Sequence, residues 1–100
     1  MTLLEGGIVL NTIRAAKRAG YIHRKVVYQN RHGAPDDWFF GHGGDLIIVE
    51  HKRPGKSPEA HQEREIARLR TKGFKVYVVD SIDAGNALFR SKNRHGDNLA

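Results

Sequence analysis

The stretch Asp45-Leu46-Ile47-Ile48-Val49-Glu50-His51-Lys52 decides the fold. Its Leu-Ile-Ile-Val run reads as a strand buried on both faces, and therefore as one from the middle of a sheet. The end of this strand is polar. Alternation sends Glu50 and Lys52 to one face, roughly 6.6 Å apart along the strand, and His51 to the other. Lysine and glutamate are rarely buried unless they are paired or serve a site. The structural alternative is a surface ion pair where the strand leaves the sheet, which would contribute little stability.

Upstream, Arg31 to Pro35 reads as a turn and Asp37 to Phe40 as a short strand. The tight connection Gly41-His42-Gly43-Gly44 folds that strand back onto 45–52. Such a hairpin brings Asp36 toward the end where Glu50 and Lys52 sit. Two carboxylates with an ammonium beside them suit a hard divalent cation such as Mg2+, which prefers oxygen ligands and keeps several waters. Asp37 falls on the face opposite Asp36. Asp36 can also be read as a turn former after Pro35.

Downstream, Pro54 to Ser57 is a loop, and Ser57 is placed to cap a helix over 58–72 with Pro58 first and Glu59 in the opening turn. Lys72-Gly73 supplies its stop. Positions 62, 66 and 69 fall within about 60° of one another on that helix. Gln62 thus shares the buried stripe of Ile66 and Leu69, and a buried amide without a partner costs roughly 1–3 kcal/mol. A first helix over 3–19 carries Ile8, Val9, Ile13 and Ala16 at helical spacing. Glu5 shares a stripe with Ile8, Val9, Thr12 and Ala16, although a glutamate in a first turn is also favoured by the helix dipole. Residues 21–29 and 74–79 read as strands. Ser81 caps a last helix to about Arg90, and 91–100 is a polar tail expected to fray. The order is α-β-β-β-α-β-α, an α/β fold with a mixed sheet flanked by helices, in one domain over 1–90.

The chain has 100 residues and no cysteine, which excludes disulfides and thiolate metal sites and fits a reducing, cytoplasmic compartment. No stretch reaches the apolar length of a membrane span. Seventeen Lys and Arg against eleven Asp and Glu give a net charge of +6, as binding to a polyphosphate requires.

Taken in order, Gly33-Ala34-Pro35-Asp36, then Asp45 to Pro54, then Ser57-Pro58-Glu59-Ala60-His61-Gln62 resemble the VRR-Nuc (virus-type replication–repair nuclease) branch of the PD-(D/E)XK nucleases. Each motif is weak alone; the ordered set in its strand-loop-helix context is specific. The resemblance implies a restriction-endonuclease-like core and a Mg2+- or Mn2+-dependent endonuclease leaving 5′-phosphate and 3′-hydroxyl ends. It makes Asp36, Glu50 and the His51 backbone carbonyl metal ligands and Lys52 the catalytic lysine. Gln62 and Glu5 match the family's helix glutamine and first-helix acid. It further implies a homodimer cutting branched DNA such as four-way junctions, with no organic cofactor, and it makes a phage-encoded chain in the host cytoplasm plausible. Arg31, Arg53 and Lys56 flank the proposed site and are the first candidates for DNA contacts. His51 stands where an apolar or small residue is more usual, a departure that need not disturb the site because its side chain faces away. Asp37 stands where an apolar residue is usual after Pro-Asp; the metal would then be held slightly differently, or Asp37 is simply exposed.

Two other readings compete. A histidine-based nuclease is disfavoured because His32, His42, His51, His61 and His95 are scattered, with no pair at ligand spacing. A basic DNA-binding module without catalysis explains the charge but leaves Gln62 and the Glu50/Lys52 pair unexplained.

Overall fold

The aliphatic run has strand partners on both sides. In the computed structural model, which describes residues 5–98 and the side chains of residues 5–90, β1 (Ile22–Lys25), β2 (Asp37–Phe40), β3 (Leu46–His51) and β4 (Lys75–Val79) form one sheet in the order β1-β2-β3-β4. The first three are antiparallel neighbours and β4 runs parallel to β3. Helices α1 (Glu5–Arg18), α2 (Ala60–Thr71) and α3 (Ile82–Asn98) complete the expected order, with a short 3-10 turn at His42–Gly44 inside the β2–β3 hairpin.

Alternation along β3 divides the core in two. Ile47 and Val49 pack with Phe39, Val79 and Phe89 and with Ile8 and Ala16 of α1. Ile48 faces the other way, against Val76 and Ile66 of α2, with Trp38, Leu46 and Leu69 around them. Each fully buried aliphatic side chain of this kind contributes about 1.5–3 kcal/mol. Helices α1 and α3 cross closely because position 85 is glycine: a Cβ there would lie 2.5 Å from the Thr12 hydroxyl.

Several boundaries differ from those the sequence suggests. Ser57 is not the cap of α2. The helix begins at Ala60 because Glu59 and Gln62 form a reciprocal capping box, each side chain accepting from the other's backbone N–H. Strand β1 stops at Lys25, well short of residue 29. Strand β3 begins at Leu46, where Asp45 turns aside to accept from Tyr21 and Lys75. Helix α3 continues past Arg90 to Asn98. Ser81 does cap it, its Oγ accepting from the Ala84 N–H at 3.0 Å. Residues 3 and 4 of the expected first helix lie outside the described residues, as do the side chains of Asn93 and His95.

Candidate active site

The hairpin register sets the geometry. Asp37 pairs with Val49, so continuing one residue puts Asp36 abreast of Glu50 and on the same face. Pairing with the first strand also extends this far, the Val26 N–H donating to the Asp36 carbonyl at 2.9 Å. The approach to Asp36 is tight. Gly33 has φ +97°, and a Cβ there would sit 3.2 Å from the His61 carbonyl of α2, so both the conformation and the space favour glycine.

Glu50 is 1% exposed. Its Oε2 accepts from Gln62 Nε2 at 3.2 Å, and the Lys52 ammonium lies 3.7 Å from the same oxygen, close enough to attract but too far for a hydrogen bond. Gln62 is thereby used twice, because its Oε1 also accepts from the Glu59 N–H at 2.8 Å. The other oxygen of Glu50, Oε1, is buried and has no partner among the described residues. Burial, then the negative charge of Asp36, push the Glu50 carboxyl up to about 7, against the pull of Lys52. Asp36 is likewise raised, first by burial and then by the charge of Asp37, with Glu5 adding to it. Glu5 also raises Glu50, so three carboxylates share one field. Glu5, Lys52, Arg53, Lys56, Ser57 and Glu59 line an adjoining cleft of about 260 Å³. Of the three basic residues expected around the site, Arg53 and Lys56 line this cleft; Arg31 instead pairs with Glu65 at 3.3 Å.

Behind the hairpin lies a network that the spacing of residues does not reveal. Asp37 is not exposed: at 2% exposure it accepts from His23 Nε2 at 2.6 Å and from His51 Nδ1 at 2.8 Å. Alternation does send His51 away from Glu50 and Lys52, and this carboxylate receives it. Burial alone would push Asp37 up, but hydrogen bonds from both histidines outweigh it and hold the carboxyl below its ordinary 3.8. An ionised carboxylate only accepts, so both ring nitrogens donate. The second nitrogen of His51, Nε2, is buried without a partner among the described residues. Two of the six histidines, scattered along the chain, thus do gather, His51 with His23 through Asp37. The signal available in the sequence was the His23 side chain within a strand that pairs with Asp37–Phe40.

The donors present fit a hard cation. Among the described residues no three His, Cys, Asp or Glu side chains are grouped so as to hold a metal ion between them. A cation that retains several waters needs only one or two carboxylates, and the unpartnered Oε1 of Glu50 beside Asp36 supplies such a donor.

A mixed four-stranded sheet flanked by helices, with two carboxylates abreast on its antiparallel hairpin and a lysine two residues beyond one of them, is of the restriction-endonuclease-like class. No family model matches the chain. It is 37% identical over 84 residues to "Putative nuclease p44" of Acyrthosiphon pisum secondary endosymbiont phage 1, covering 84% of this chain and 90% of that protein. It is also similar to a solved "VRR_NUC domain", with a TM-score of 0.82, 32% identity and coverage of 86% of this chain and 94% of that one. A "VRR_NUC domain protein" at 17% identity and a TM-score of 0.72, covering 94% and 91%, shares the fold. The chain belongs to the VRR-Nuc family of nucleases.

Proposed function

We propose that the chain is a divalent-metal-dependent endonuclease that hydrolyses DNA phosphodiester bonds, favouring branched DNA such as four-way junctions. The observation that carries this reading is the buried, unpartnered Oε1 of Glu50 beside Asp36, with Gln62 and Lys52 on the other oxygen. Asp36, Glu50 and the His51 main-chain carbonyl would hold Mg2+ or Mn2+, which supplies Lewis-acid activation of the phosphate and of the attacking water. Gln62 fixes Oε2 and so leaves Oε1 for this role. The Lys52 ammonium stabilises negative charge building on the phosphoryl oxygens, most effectively where water is scarce; its side chain is only 17% exposed. Arg53 and Lys56, in the adjoining cleft, hold flanking phosphates. Glu5 supplies further negative charge at the cleft wall.

The whole of 1–90 serves as one nuclease domain in this reading, working in a cytoplasm as a homodimer. Support for the dimer is apolar surface left open on the edge strand, at Tyr77 and Val78, and at Leu10 of α1. A two-fold pair presents two equivalent sites to strands related by symmetry. The deciding experiment incubates the protein with supercoiled plasmid and a synthetic four-way junction in Mg2+, Mn2+ or EDTA. Cutting in either metal and none in EDTA is expected. Binding without metal-dependent cutting would sink the enzyme reading in favour of a basic DNA-binding module.

A further inference from the structure

On α2, one turn beyond Gln62, a second cluster faces the loop that leads into Asp36. Glu65 is 7% exposed. Its Oε2 accepts from the Tyr28 hydroxyl at 2.8 Å, while its Oε1 is shared by Arg31 Nη2 at 3.3 Å and Arg68 Nη1 at 3.2 Å. The two guanidinium groups therefore sit against a single oxygen, yet their side chains are 55% and 57% exposed. Each has five N–H donors, and among the described residues each gives one to Glu65. Hydrogen bonds and the two cations outweigh the effect of burial and hold Glu65 below its ordinary 4.5, so the cluster carries one net positive charge. Its mouth is a shallow depression of about 680 Å³ that also takes in Val27, whose side chain is among the most exposed apolar groups at 81%.

As a staple between loop and helix this arrangement is wasteful. Exposed ion pairs contribute little, and the second arginine adds repulsion that one partner would have avoided. Fixing two half-exposed guanidinium forks side by side suits planar, bidentate recognition of a phosphate. We infer that Arg31 and Arg68, anchored on Glu65, form a phosphate-binding subsite for the DNA strand running on from the cleavage site, with Val27 against a sugar. This deepens the nuclease reading and rests on it. The position fits: the segment that carries Arg31 continues into Asp36, and α2 carries both Gln62 and Glu65, about 4.5 Å apart along its axis.

The test is binding of a labelled four-way junction and a linear duplex in EDTA, across a salt series, by the wild type and three variants. Arg68→Ala should weaken binding about threefold to tenfold at low salt and reduce the slope of log K against log salt by about 0.9, as loss of one phosphate contact requires. Lys17→Ala removes the same charge from α1, which packs on the opposite face of the sheet, and should do distinctly less. Glu65→Gln gives the opposed sign: it makes the protein more positive, so charge alone predicts tighter binding, whereas loss of the anchor predicts weaker. Equal effects of Arg68→Ala and Lys17→Ala, or tighter binding by Glu65→Gln, would overturn the subsite. Thermal unfolding checks that the variants fold, and Arg68→Ala alone decides if Glu65→Gln does not. Overturning results alongside intact metal-dependent cutting by the wild type would remove the subsite and leave the nuclease reading standing. A wild type that neither binds DNA in EDTA nor cuts it in Mg2+ or Mn2+ removes both.

Discussion

Replacing Glu50 with glutamine separates the cost of burying this carboxylate from its use. Its carboxyl titrates at about 7 in the fold against an ordinary 4.5. Between those values the folded protein holds the proton more tightly than the unfolded chain, so stability falls as pH rises through the window and levels off above about 7. At 1.36 kcal/mol per unit, the loss is about 3 kcal/mol. For a domain of this size that is a fall in Tm of roughly 10 °C or more. Metal-free wild type should therefore melt lower at pH 8 than at pH 5.5, and Glu50→Gln should flatten that dependence. At pH 8 a divalent cation that uses the carboxylate offsets the cost: at a hundred times its Kd it stabilises by about 2.7 kcal/mol. Thermal unfolding of both proteins across pH, in EDTA and in Mg2+, reads both effects. Parallel Tm–pH curves for wild type and variant would refute the burial argument. Equal stabilisation of both by Mg2+, with unchanged affinity by calorimetry, would refute the ligand role.

Other expected outcomes follow from the same geometry. Lys52→Ala should abolish cleavage while leaving DNA affinity nearly intact, because the role proposed for its ammonium lies in the transition state; a variant that still cuts normally would exclude that role. Asp37→Asn strips the charge from between two histidines and should cost about 3 kcal/mol near neutral pH. Because Asp37 is held below its ordinary 3.8, its contribution is present above that value and is lost as pH falls through the folded one. The two chemical unfolding curves should accordingly converge in acid, and curves that stay equally far apart would argue against it. Sedimentation at micromolar concentration should give a species near twice 11.3 kDa; a clean monomer would remove the dimer.

The parts of the fold that could be read from the sequence are those in which one residue type answers to one constraint. Leu46 to Val49 are aliphatic because both faces of β3 are covered, so the run by itself indicates a central strand. Gln62 stands out because an amide on an apolar stripe needs a partner, and the partner is Glu50. Contacts between residues far apart in the chain left no such trace. Ser57 and Glu59 are both competent caps, and the choice depends on Gln62 reaching back. Glu65 reads as one more exposed charge on a polar helix until Tyr28 and Arg31 arrive from another segment. Asp37 and His51 lie fourteen residues apart, and nothing local says that a third residue, His23, completes the group.

The two departures from the family pattern, Asp37 and His51, explain each other. On strands, consecutive residues face opposite ways, so the hairpin that brings Asp36 and Glu50 together on the α2 face must bring Asp37 and His51 together on the other. A lone buried histidine there would leave a donor unsatisfied, and a lone aspartate would be an uncompensated charge costing several kcal/mol. Together, with His23 from β1, they tie three adjacent strands directly behind the carboxylates. The network therefore opposes any shear of β2 against β3, the motion that would separate Asp36 from Glu50. An apolar pair at 37 and 51 would pack the same face without fixing the register. Changing Asp37 alone should consequently be worse than changing Asp37, His51 and His23 together to apolar residues of similar volume, since only the single change leaves polar groups buried without partners.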